Sequence, residues 1–462
     1  MSKSRLRQVL AATIVSYVIV VLDASVVNVA LDQLSTSLAT NLTGLQWVVS
    51  AYTLAFACLL LTGGTLGDRL GARSVYLLGL LVFTVSSTIC GFASNLIILV
   101  IARSFQGVGA ALLVPCSLKL INDATSNQEQ RARAMAIWVT CGGLAMAAGP
   151  LIGGLLIHLF GWRSIFFVNV PIGLVGILMT LRIARDEKPV LNGDIDVVGQ
   201  ISAIIALGLL IGILVEGKQL GWRSPLIIAG VVLMFLAWVV FFATEGRKTH
   251  PMLPLAFFKN GIFTGSAVVS MASAFVFYGL LFVMSIYYQQ GLTYSPLMTG
   301  LAFVPMTVMV AVGSAASNRV VKLFGEQWSM SAAFGFYALG AMGLLSCSPS
   351  SPYWIAIVPM MAIGFASGFV SPAATAPAMG TVSKDKAGVA AAVLNSARQT
   401  GAALGVSVFG ILAGTVQTFG NTMCFALWTA TVTSLIAAVI WQLPKFRKVA
   451  LAQGAVSTTY VE

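Results

Sequence analysis

Asp23 lies inside an apolar stretch running from about residue 8 to residue 31. A charge in that setting is costly in hydrocarbon and marks a functional site by default. Apolar stretches of membrane-spanning length recur about fourteen times, and Asp23 is the only acid well inside one of them. A partner follows from geometry. Asp23 stands 8 residues before Leu31 at the end of the first stretch, and Arg103 stands 8 residues after Asn95 at the start of the fourth. The two stretches run in opposite directions, so at about 1.5 Å per residue both side chains lie roughly 12 Å below the same surface. Burial favours a neutral carboxyl and a neighbouring guanidinium favours the charged one, so a state-dependent distance between the two would load and release a proton. The alternative is a static buried pair that only orients helices.

Other polar residues are few and grouped. Arg103 opens the string Arg103-Ser-Phe-Gln-Gly-Val-Gly109, which puts Gln106 near the same helical face. Asn395-Ser-Ala-Arg-Gln-Thr400 is a polar island in a Gly/Ala-rich stretch, which places Asn395, Arg398 and Gln399 along a water-filled cavity. Asn28, Trp47, Tyr52, Met146 and Tyr278 complete the candidate cavity, offering apolar and cation-π contacts to a lipophilic substrate. In the fifth stretch, Gly149, Pro150, Gly153 and Gly154 set small residues at helical spacing around a proline, which predicts close packing and a bend. Between the second and third stretches, Gly64 and Gly71 allow a tight connection whose Asp68, Arg69 and Arg73 can bond nearby helix ends. This turn is expected to act as a gate latch that stabilises one conformation.

The elements that carry these residues follow from composition. The chain has 462 residues, 58% of them hydrophobic and 9% charged. An all-α, multi-pass membrane protein is the reading, because lipid tolerates only helices and closed barrels. Twenty-one of the 26 lysines and arginines fall on one side if both termini are cytoplasmic, and only Arg163, Lys218 and Arg223 fall on the other. That bias predicts cytoplasmic termini and needs an even number of spans, which the fourteen apolar stretches supply. It also accounts for most of the net charge of +12, with no nucleic-acid partner required, and puts the cluster at Lys445, Arg447 and Lys448 against anionic lipid. The first span is expected to remain as a helix rather than be cleaved as a signal peptide. The spans near 196–216 and 223–243 are bland and read as peripheral. Removing them leaves six spans on each side, and Gly64 to Arg73 has an echo at Asn318 to Gly325. The predicted organisation is a six-helix bundle (1–190), a two-helix insertion (191–250), a second six-helix bundle (251–445) and a cytoplasmic tail (446–462).

Six scattered cysteines have no metal spacing, and no paired carboxylates or phosphate loop are present. No enzyme chemistry, metal or cofactor is therefore expected. A membrane-embedded enzyme or sensor has nothing in its favour.

Taken together, Leu22-Asp-Ala-Ser-Val-Val-Asn-Val-Ala30, Gly64 to Arg73, Arg103 to Gly109 and Gly149-Pro-Leu-Ile-Gly-Gly154 resemble, in order and spacing, the motifs of the major facilitator superfamily. Within it the likeness is to the fourteen-helix drug:proton antiporters, loosely to exporters of methylenomycin-type antibiotics. Tyr287 to Pro296 and Asn395 to Gly401 are similar to that branch's second half. The resemblance implies two six-helix bundles around a central cavity, alternating access, and export driven by the proton motive force. It implies that Asp23 and Arg103 couple protons, that Gly64, Asp68, Arg69, Gly71 and Arg73 form the cytoplasmic gate, and that Gly149, Pro150, Gly153 and Gly154 form the antiporter motif. Asp32 departs from the branch, which usually has proline there, as does Ala72 from a bulkier or polar residue. With no second embedded acid, the expected substrate is a small lipophilic neutral or monocationic molecule. A monomer in the bacterial inner membrane is expected, and a proton-coupled solute importer of the same fold is the alternative.

Overall fold

The protein is described by a computed structural model over residues 3–183, 196–248, 252–348, 350–383, 386–413 and 419–443. The expected boundaries at 190 and 250, the tail and the Lys445 to Lys448 cluster lie outside the described residues.

Helix α1 (Lys3–Val26) passes through a 3₁₀ turn (Val27–Ala30) into α2 (Leu31–Ser37). There follow α3 (Leu42–Leu70), α4 (Ala72–Phe92), α5 (Leu96–Asp123), α6 (Gln128–Phe160), α7 (Ser164–Phe167) and α8 (Asn169–Leu181). The middle of the chain forms α9 (Val197–Leu220) and α10 (Pro225–Arg247). The remainder forms α11 (Gly261–Ile286), which ends in a π-helical turn (Tyr287–Gly291), then α12 (Pro296–Phe324), α13 (Glu326–Leu344), α14 (Trp354–Gly380), α15 (Ala387–Ala413) and α16 (Phe419–Gln442). Asparagines start several of them: the side chains of Asn41, Asn95, Asn127 and Asn260 each accept a bond from a first-turn amide.

Among the described residues, twelve helical segments are long and apolar enough to cross a membrane. Of the fourteen expected spans, those corresponding to α13 and α15 are not among these twelve. Their sequences show why, since α13 opens on Glu326-Gln-Trp-Ser and α15 carries the island at Asn395 to Thr400. The outer surface is that of a membrane protein. Phe92, Leu226, Val239 and Val358 are each more than 60% exposed, with no polar cover.

Helices α1 and α3 to α8 pack together, as do α11 to α16. The echo between the two halves is visible in the backbone. Helices α3 and α12 both have 29 residues, and each ends on a glycine of positive φ, Gly71 at 90° and Gly325 at 78°, before the next helix starts. The halves meet chiefly where α6 packs on α12 and α3 on α15. Glycines permit the first contact: a methyl on Gly154 would lie 2.5 Å from the carbonyl oxygen of Pro296, and one on Gly300 would collide with that of Pro150.

Helix α9 is less bland than its sequence. Ile211 and Val215 pack with Ala403 of α15, while Gln200 donates to the Cys58 carbonyl at 2.9 Å and Gln219 to Thr43 at 3.0 Å, both on α3. It therefore spans the seam between the halves, and α10 packs on it as the peripheral member.

Candidate functional site

Asp23 is fully buried and fully bonded. Its Oδ1 accepts from Gln106 Nε2 at 2.8 Å and from Asn169 Nδ2 at 2.9 Å, and its Oδ2 pairs with the Arg103 guanidinium. Arg103 is 1% exposed. It also donates to Gln106 Oε1 at 2.8 Å and to the Val48 carbonyl at 3.2 Å, and its Cζ lies 4.4 Å from the centre of the Tyr52 ring. Ser87 closes the network, accepting from Gln106 at 3.2 Å and Asn169 at 3.0 Å while donating to the Phe166 carbonyl at 2.9 Å. Four helices, α1, α4, α5 and α8, thus converge on one carboxylate. A buried ion pair of this kind is tolerable because further hydrogen bonds brace it, from Gln106 and Asn169 to the carboxylate and from Arg103 to the Val48 carbonyl, although the Asn169 side-chain oxygen is buried without a partner.

Of this network the sequence pointed to Asp23, Arg103 and Gln106, the last as a cavity residue. Ser87 and Asn169 were missed. Asn169 carried a usable signal, an amide inside an otherwise apolar span, whereas a serine in such a span is too common to single out.

A separate cavity of about 180 Å³ lies between the halves. Met146, Tyr278, Asn395, Arg398 and Gln399 all line it, as expected. The other four expected cavity residues are placed elsewhere. Tyr52 and Gln106 are buried around Asp23, with the Tyr52 hydroxyl donating to the Val20 carbonyl at 3.1 Å. Trp47 points at α9, where its indole N–H donates to Glu216 at 2.7 Å. Asn28 lies between α1 and α11, and its carbonyl accepts from Ser285 and from Gln289 at 3.2 Å. Each had been placed by residue type and span, and neither says which way a side chain faces. Tyr17 and five serines, at 270, 273, 314, 367 and 371, line the cavity without having been anticipated.

Arg398 is the only charged residue lining this cavity among those described. It donates to the Ser371 hydroxyl and to the Asn395 side-chain oxygen. No cluster of metal-ligating side chains occurs among the described residues.

At the end of the molecule away from the N-terminus, the halves are tied by side chains reaching backbone across the seam. Gln46 donates to the Ser407 carbonyl at 2.8 Å, and Gln289 accepts from the Asp32 amide at 3.1 Å. Asp32 stands where the resemblance expects proline, which has no N–H to give. Beyond these ties a second cavity of about 950 Å³ lies among residues of α2, α3, α9 and α15.

At the opposite end, Asp68 and Arg73 of the expected latch bond to residues of the first half. Arg73 donates to the carbonyls of Thr180 at 3.2 Å and Leu181 at 2.9 Å, capping α8. Lys119 pairs with Asp68 and donates to the Gly67 carbonyl at 3.3 Å. Gly71 takes the positive φ that turns the chain from α3 into α4, and Gly64 has Pro115 of α5 for a neighbour. Arg69 is on the last turn of α3. In α6, Pro150 lies inside the helix, Gly149 faces Ser25, and Gly153 faces Val26 of α1.

A family model described as Major Facilitator Superfamily matches residues 13–199 and 195–406. The methylenomycin A resistance protein of Bacillus subtilis (strain 168) is 34% identical over 435 residues, covering 94% of this chain and 93% of that protein. The methylenomycin A resistance protein of Streptomyces coelicolor is 33% identical, covering 87% of this chain and 85% of that protein. The multidrug resistance protein Stp of Mycobacterium tuberculosis is 32% identical, covering 87% and 74%. Among solved structures, the POT family transporter PepTSo superposes with a TM-score of 0.68 at 16% identity, covering 94% of this chain and 97% of that one. The human organic anion transporter MFSD10 (TETRAN) gives 0.64 at 16% identity, covering 96% and 100%. At such identities these two structures speak to the fold alone.

Proposed function

The chain belongs to the Major Facilitator Superfamily, and on that premise we propose that it is a proton-coupled antiporter exporting small lipophilic drugs or antibiotics across the cytoplasmic membrane. Relatives named for methylenomycin and multidrug resistance support export over the importer alternative. In this reading all fourteen long helices span the membrane as two six-helix bundles with α9 and α10 inserted, roughly 1–190, 191–250 and 251–445. Both termini and the 446–462 tail are cytoplasmic, in keeping with the lysine and arginine bias. The working unit in this reading is a monomer.

The observation that carries the coupling is the sealed pair of Asp23 and Arg103. A proton reaching Asp23 cancels the charge that holds Arg103. Gln106 and Asn169 must then re-pair, and α1 is released from α5 and α8. Deprotonation restores the network. Gly149 and Gly153 let α6 lie close enough to α1 to follow that movement, and the Asp68 and Arg73 bonds hold the turn at the cytoplasmic end. A proton entering through about 150 mV releases roughly 3.5 kcal/mol. At about 1.4 kcal/mol per tenfold, it sustains a substrate gradient of a few hundredfold.

The test is uptake of a fluorescent drug into inside-out vesicles under an imposed pH gradient, comparing the natural protein with Asp23→Asn. Uptake abolished by a protonophore and lost in the variant is the expected result. Uptake that keeps its pH dependence in Asp23→Asn would overturn the assignment of Asp23.

A further inference from the structure

We propose that the central cavity is built for a compact lipophilic monoanion, with Arg398 anchoring its acidic group. This rests on the exporter reading and narrows the sequence expectation, replacing the monocation by an acid.

The argument is one of charge balance. A guanidinium between packed helices needs an anion, or enough neutral acceptors, to offset the water it gives up. Arg103 has its anion in Asp23. Arg398 is half-buried, its partners are one hydroxyl and one amide oxygen, and no carboxylate among the described residues forms an ion pair with it. None of the described residues lining the cavity is acidic, so a cationic guest would meet a like charge with no described carboxylate to offset it.

The rest of the lining suits an acid with an apolar body. The side chains of Tyr17 and Tyr278 line the same space as Arg398. Ser270, Ser314 and Ser371 add hydroxyls, that of Ser273 being paired with Tyr337, and Phe277 and Met146 supply apolar wall. Guanidinium and phenol donors facing an apolar wall are complementary to a carboxylate on a hydrophobic skeleton. A volume of about 180 Å³, below the roughly 300–1,000 Å³ of drug-sized pockets, favours a small guest.

The test is binding to the purified full-length protein in detergent with no gradient, using 2-naphthoate, 2-naphthamide and 2-naphthylmethylammonium. These probes share a skeleton and differ in charge. We expect 2-naphthoate to bind at least tenfold more tightly than the amide, and the ammonium to bind most weakly. Asn395→Asp places a carboxylate on the oxygen that already accepts from Arg398 with almost no change of shape. It should remove at least tenfold of naphthoate affinity while leaving the amide unchanged. Arg398→Gln should abolish the preference and Arg398→Lys retain part of it, with melting curves recorded for each.

Equal binding of acid and amide, tightest binding of the ammonium, an acid preference that survives Asn395→Asp, or no binding by any probe would each overturn the proposal. The two readings fail separately. A protein that binds naphthoate as described yet accumulates no drug in inside-out vesicles loses the exporter assignment and keeps the site. One that exports with no preference for the acid loses only the site.

Discussion

Arg103 in the first half has a carboxylate, a side-chain amide and a backbone carbonyl for its donors and an aromatic face for its plane. Arg398 in the second half has a hydroxyl and an amide oxygen, and it faces a cavity. Both are arginines in polar strings of otherwise apolar helices, yet one is closed in a finished network and the other has donors to spare. A finished network can respond only to something that changes a member's charge, and a proton is small enough to do so. An unfinished one can respond to a guest. On the proposed function, the first arginine would serve the proton and the second, in the cavity between the halves, the substrate.

The sharpest way to break this contrast is to remove the guanidinium from each. Arg103→Leu leaves the Asp23 carboxylate buried without its ion pair, and the expected loss is about 3–5 kcal/mol of stability. It should be read as a large fall in melting temperature, partly recovered by adding Asp23→Asn. Arg398→Leu, at a side chain facing a cavity, should change stability by no more than about 1 kcal/mol. Comparable losses at the two sites would erase the distinction.

A smaller effect sharpens the role of the small residues between the sites. Gly149→Ala puts a methyl onto the Ser25 hydroxyl and should cost about 1–3 kcal/mol by overpacking. Gly143→Ala meets nothing within 4 Å and should be neutral, or stabilising by about 0.4–1 kcal/mol through the unfolded chain. Melting curves for the two variants decide whether the α6 glycines serve packing against α1 or are merely abundant.

A modest effect is expected at α9. Trp47→Phe removes the bond to Glu216 and should cost about 0.5–1.5 kcal/mol. If Glu216→Gln, which keeps an acceptor, costs as much as Trp47→Phe, then the charge of Glu216 is used elsewhere than in holding α9 to α3.

Much of the architecture was legible in the sequence because lipid imposes a simple code: a long apolar run must be a helix. The Asp23 to Arg103 contact was legible too, since helix rise converts sequence distance into depth, and two rare charges at one depth have few other partners. The cavity was only partly legible. Met146, Tyr278, Asn395, Arg398 and Gln399, picked out by residue type and depth, line the cavity, while Asn28, Trp47, Tyr52 and Gln106 share those properties and face elsewhere. Depth is read along a helix, but facing depends on which neighbour each helix packs against. The same limit explains α9, whose glutamine and glutamate look incidental until α3 is laid beside them.

By itself, then, the sequence determined the helical composition, the paired halves, the family and the carboxylate on which coupling is proposed to turn, because each follows from local composition or from spacing along one chain. Only the tertiary structure decided which polar groups finish the Asp23 network, which leave Arg398 with donors to spare, and where α9 lies. Those outcomes depend on helices far apart in sequence meeting at particular rotations, and no spacing along the chain encodes a rotation.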